Sequence, residues 1–146
     1  MHWPPKVICQ FKKVPVNPSK AHFHGPYNKL LSTLFPPDTN FTIVPHYMPL
    51  PAGLISAGFI VCLCISPVFI LELKSPGDLR YTSSCQATDR QLCACIRDVH
   101  IDCPLPVLYA ISMMGTRLCF YKRPHDGCME PPFIAANPEL EMDMVP

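Results

Sequence analysis

The stretch GFIVCLCISPVFILELK, residues 58–74, decides the fold. It belongs to a longer uncharged run. Ala52 to Leu71 is by length and hydropathy a candidate membrane span. Against one long helix stand Pro67, which interrupts the run, and the β-branched Ile60, Val61, Ile65, Val68 and Ile70, which favour extended chain. The flanking lysines and arginines show no asymmetry that would set an orientation. The run divides at Ser66-Pro67 into two segments of strand length, Gly58–Ile65 and Val68–Lys74. Continuous apolar strands of that size suit a sheet covered on both faces. Two strands are therefore expected, with a single-pass helix at 52–71 as the rival reading.

Outward from this core, the flanking elements alternate in kind. Gly25-Pro26 introduces a helix whose Tyr27, Leu30, Leu31, Leu34 and Phe35 recur at helical spacing, and Pro36-Pro37 ends it. Phe41–Val44 reads as a short strand, and Pro45–Gly53 as a loop. Ser75-Pro76-Gly77-Asp78 is a turn. Ser83 and Gln86 have capping-box spacing, followed by one apolar face of Leu92, Cys95, Ile96 and Val99. Val107–Met113 and Arg117–Lys122 read as strands about Gly115, and Asp126-Gly127 precedes a last strand at Met129–Ile134. The expected architecture is α/β: a small mixed central sheet with flanking helices, in the order αβββαβ, plus C-terminal strands.

Length and charge set the outer limits. At 146 residues the chain suits one domain. A net charge of +1 gives no global attraction to nucleic acid or acidic lipid. Five lysines precede the first acid, Asp38, and Glu139, Glu141 and Asp143 crowd the other end. Residues 1–25 are accordingly read as a basic, Pro-rich, loosely attached arm, 26–135 as the folded domain and 136–146 as an acidic tail. The 19 prolines punctuate short elements and form no repeat.

Nine cysteines suggest disulfides or zinc until they are placed. The N-terminus shows no basic start and apolar run of a secretory signal, so an intracellular location, cytoplasmic or nuclear, and free thiols are expected. Cys62/Cys64 and Cys93/Cys95 are CxC pairs without a second pair at zinc-ligand spacing. His22-x-His24 has no acid or thiol nearby in sequence and reads as a surface pair.

Chemistry concentrates at the end of the second apolar strand. Strand alternation puts Glu72 and Lys74 on one face about 7 Å apart, with Leu73 on the other. A carboxylate so placed can bind a divalent cation, and the ammonium can orient water or neutralise a phosphate. A strand simply reaching solvent would end the same way.

The order of elements and the residues FILELKSPGDLR at 69–80, ATDRQLCACIRD at 87–98, LPVLYAISMMGTRLCFYKR at 105–123 and PPFI at 131–134 resemble the PD-(D/E)XK, or restriction-endonuclease-like, superfamily. More narrowly they resemble a group of uncharacterised fungal proteins within it. The resemblance implies a phosphodiesterase ancestry acting on nucleic acid. Glu72 would be the metal ligand for Mg²⁺, Lys74 the assistant to water and phosphate, and Gln91 on the following helix their support. It also implies a second carboxylate on the preceding strand, where Gly58 stands instead, and no acid lies between Asp38 and Glu72. One carboxylate holds Mg²⁺ poorly. The expectation is a degenerate site with weak or absent hydrolysis, some retained binding of nucleic acid or a partner, and gain of metal affinity in Gly58→Asp; the alternatives are the single-pass helix at 52–71 and a structural or interaction domain with no ligand site.

Overall fold

The computed structural model describes residues 3–45 and 58–132 of the chain. Most of the expected loop at 45–53, residues 133–134 of the expected last strand, and the acidic tail at 136–146 lie outside them. The described elements are α1 (Pro5–Lys12), α2 (Ala21–Leu34), β1 (Phe41–Pro45), β2 (Phe59–Leu63), β3 (Ser66–Lys74), α3 (Thr82–Val99), β4 (Val107–Met114) and β5 (Arg117–Pro124). They form a mixed α/β fold around one open five-stranded sheet with strand order β1-β2-β3-β4-β5. Neighbouring strands are antiparallel except β3 and β4, which run parallel and are joined through α3.

The decisive apolar stretch is two strands. Residues 59–71 cannot therefore belong to one helix, and among the described residues no helix is long and apolar enough to cross a membrane. The chain reverses at Cys64-Ile65, two residues earlier than the Ser66-Pro67 break expected from sequence. Pro67 lies inside β3, opposite Cys62, where the β2–β3 register slips between Val61 and Cys62. A missing N–H is tolerated beside such an irregularity, and β4 joins β3 only from Phe69 onward. Cys64 adopts a φ of 58°, the left-handed region that the reversal demands.

Alternation along β3 divides the core into two layers. Phe69, Leu71 and Leu73 face α2, together with Ile111 and Met113 of β4. Ile70, Glu72 and Lys74 face α3, whose Leu92, Cys95, Ile96 and Val99 are buried as their spacing predicts. Leu71, Leu73, Leu92 and Ile96 are each at most 2% exposed. Burial of such a side chain contributes roughly 1.5–3 kcal/mol.

Three local expectations need correction. The N-terminal segment is no loose arm along its whole length. α1 packs on α2, Val7 is fully buried, and Trp3, Phe11 and Tyr27 form an edge-to-face series with centroids 6.0 and 5.0 Å apart. α2 starts at Ala21, so Gly25 and Pro26 sit within it. The buried face of Phe23, Pro26, Tyr27 and Leu31 outweighs the hydrogen bond that proline forgoes. The third concerns α3, which begins at Thr82, one residue before the expected cap. Its N-cap is Tyr81 without a side-chain cap, because the 3₁₀ turn Pro76–Arg80 delivers the backbone directly into the helix. Of the expected strand at 129–134, the described part makes one bridge, Glu130 to Lys122.

Candidate functional site

Glu72, Lys74 and Gln91 meet at the C-terminal end of β3. Lys74 donates from Nζ to Gln91 Oε1 at 2.7 Å, and the same Nζ lies 3.2 Å from Glu72 Oε1. β3 supplies the first two by alternation. α3 turns the third toward the sheet, because Gln91 stands one residue before the core residue Leu92 and four before Cys95. The three candidate site residues thus form one cluster on the α3 face.

The electrostatics of that cluster are unusual. Glu72 is completely buried, whereas the Lys74 side chain is 23% exposed. The ammonium is close to Oε1 but outside hydrogen-bonding geometry, so among the described residues neither carboxylate oxygen has a hydrogen-bond partner. Burial pushes the Glu72 carboxyl above the usual carboxylate range, against the lowering charges of Lys74 and, farther off, Lys20. Its influence spreads to the thiol of Cys95, pushed up to about 12 mainly by burial and further by the charge of Glu72.

Gly58, the position where the resemblance implies a second acid, has no room for a side chain. The register that pairs Phe59 with Leu71 brings Gly58 opposite Glu72. A Cβ on Gly58 would nonetheless lie 2.9 Å from Leu73 Cβ and 3.1 Å from the Leu71 carbonyl oxygen. A side chain there is directed at Leu73, on the other face of β3 from Glu72. Any side chain at Gly58, aspartate included, thus forces Leu73 or the β3 backbone to shift.

The donor set does not fit a divalent cation. Mg²⁺ wants several oxygen ligands and keeps much of its water. Here there is one carboxylate, wholly buried, with an ammonium against it. Among the described residues no three His, Cys, Asp or Glu side chains gather as a metal site. None of the nine cysteines is in a disulfide, and the CxC pairs are split: Cys62 and Cys95 are buried, Cys64 is exposed and Cys93 is half-buried.

A second polar pair on the α3 face is absent from the sequence reading. Asp89, 2% exposed, accepts a 2.7 Å hydrogen bond from the Tyr121 hydroxyl of β5, and Ser112 of β4 stands beside Glu72 in register. Burial first, and then Asp89, raise the Tyr121 phenol above its ordinary value. The signal was there: Asp89 lies three residues before Leu92, on the apolar stripe of α3.

The chain matches no protein-family model, no curated protein and no solved structure.

Proposed function

We propose that this chain is a PD-(D/E)XK-like domain that has lost metal-dependent phosphodiester hydrolysis and retains a surface for nucleic acid. The succession α2, β1, β2, β3, α3, β4 supports this reading, being the αβββαβ order that the resemblance implies. So does the meeting of Glu72, Lys74 and Gln91 at the end of β3.

The observation that carries the loss of hydrolysis is the complete burial of Glu72 against Lys74, with no room for an acid at Gly58. An attacking water needs a metal or a base within reach of solvent and substrate. A carboxylate held away from water and biased toward its protonated form supplies neither. Lys74 and Gln91 then serve as a polar clamp between β3 and α3, and nucleic acid is met through exposed cationic side chains such as Arg117.

The test is a cleavage assay on single- and double-stranded DNA and RNA with Mg²⁺ or Mn²⁺, using wild type and Glu72→Ala. No cleavage above the buffer control is expected from either. Robust cleavage by wild type that disappears in Glu72→Ala overturns the proposal. Binding is measured in parallel, and affinity should fall as salt rises.

A further inference from the structure

β5 is the last strand of the sheet, and among the described residues its outer edge meets another segment at one bridge, Lys122 to Glu130. That bridge fixes which residues face outward. Lys122 exchanges both backbone hydrogen bonds with Glu130, at 2.8 and 2.9 Å. The pairing of β5 with β4 runs without a slip from Arg117 to Pro124. Antiparallel strands turn their backbone groups alternately to one neighbour and the other, so Leu118 and Phe120 point outward with Lys122. Pro124 falls on the same alternation, where a missing N–H costs the inner ladder nothing.

The side chains along this edge are apolar and exposed. Leu118 is 40% and Phe120 63% exposed, and Tyr109 of β4, beside them on the α2 face, is 51%. Cys119, also exposed, projects from the opposite face. Natural sheets guard such an edge with charge, proline or a covering segment. Here the charged residues, Arg117 and Lys122, flank the apolar row and leave its middle open.

The open edge is short. It runs from Arg117 to Tyr121, bounded by the β4–β5 turn at one end and by Glu130 at the other. A strand that pairs here has to turn away at both ends, and the same edge of a second copy does so. Set antiparallel about a two-fold axis at Cys119, Leu118 of each copy pairs with Phe120 of the other. Each such pair joins outward-facing residues and exchanges both its N–H···O bonds. Leu118 then packs on Phe120 across the axis, an apolar cross-strand pair, and Arg117 stands opposite Tyr121 and not opposite a second cation. The ladder stops short of Glu130.

We infer that the chain forms a two-fold homodimer through the β5 edge, with the two Cys119 residues facing each other at the axis. The contact is isologous and joins two five-stranded sheets into one. It is independent of the nuclease-like reading. Interfaces at the small end of the size range associate weakly, so a dissociation constant of roughly 1–100 μM is expected.

The experiment is sedimentation velocity on the full chain across the micromolar range, paired with disulfide trapping. Cys119 and its symmetry mate form a non-hydrogen-bonded pair with Cα atoms about 4.5 Å apart, inside the range a disulfide spans. In a Cys9→Ser/Cys64→Asn/Cys128→Ser variant, copper–phenanthroline should link two copies through Cys119, the two thiols giving two electrons and two protons to the oxidant. Trapping should run at least about tenfold faster than in a matched variant that keeps Cys128 and carries Cys119→Ser. Leu118→Pro removes an outward N–H, and Phe120→Lys puts a charge on the apolar row. Both should be monomeric at every concentration. Phe120→Lys should leave thermal unfolding unchanged, which keeps the test decisive if the proline variant does not fold. A wild type that stays monomeric throughout overturns the inference, as it would if the edge were closed by another segment or reserved for a foreign strand. So does a dimer that survives Phe120→Lys, or trapping no faster at Cys119 than at Cys128.

Discussion

Gly58 and Leu73 approach so closely that a β-carbon on the glycine would lie 2.9 Å from that of the leucine, well inside contact distance. This one spacing lets β2 enter the sheet, and it closes the position where a second carboxylate is expected. Gly58→Ala should cost roughly 1–3 kcal/mol, because Leu73 is fully buried and its β-carbon cannot swing aside. Gly58→Asp should cost at least as much and confer no Mg²⁺ affinity. Urea unfolding and metal titration check both.

Glu72 makes stability depend on pH. Its carboxyl is raised in the folded state by burial. The fold therefore holds this proton more tightly than the unfolded chain does. Its contribution is fully present below the ordinary carboxylate value and is lost as pH rises through the raised folded value. Glu72→Gln should remove this dependence and be neutral or stabilising, by up to about 2 kcal/mol, above neutrality. Denaturant midpoints between pH 4 and 9 give the answer (about half a pH unit per step suffices). A steeper slope in the variant would count against it.

Among the described residues Lys74 is the counter-charge in direct contact with Glu72, and it also holds Gln91. Lys74→Met should destabilise by roughly 1–3 kcal/mol, since it strips a buried acid of its partner. In the Glu72→Gln/Lys74→Met double variant much of that loss should return. A double-mutant cycle with a coupling below about 0.5 kcal/mol would show that the two do not interact.

Cys64 holds a left-handed backbone at the β2–β3 reversal, φ 58°. Cysteine is strained there, and glycine or asparagine is not. Cys64→Gly or Cys64→Asn should stabilise the protein by up to about 1 kcal/mol, visible as a higher unfolding temperature. A lower one would refute the strain.

Thiol reactivity should follow burial and the raised pKa values. Cys9, Cys64, Cys119 and Cys128 are exposed. Cys95 is fully buried and pushed up to about 12, and half-buried Cys93 to about 11, mainly by burial. Alkylation at pH 8 followed by peptide mapping should label the exposed four first and Cys95 only on unfolding. Early labelling of Cys95 would mean that α3 does not pack as described.

Much of this fold was legible in the sequence. The continuous, β-branched apolar runs in residues 59–74 and the period near 3.6 in Leu92, Cys95, Ile96 and Val99 mark elements that bury apolar surface, and burial is recorded locally in the pattern. The meeting of Glu72, Lys74 and Gln91 was legible too, because strand alternation and helix phase each fix a direction. The helical N-terminus was not. α1 has a marginal length on its own and exists by packing Val7 and Phe11 against α2, which local spacing does not record.

Tertiary structure alone decided the state of the site. Residue order named a lone acid at 72 and a glycine at 58. Only the pairing of β2 with β3 and the packing of α3 on β3 and β4 showed the acid to be dry and the glycine position to be filled. It also brought Asp89, Ser112 and Tyr121, on three different elements, to one pocket. Charge state and accessibility are set by neighbours distant in sequence, through desolvation and close packing, and such neighbours leave no local pattern to read.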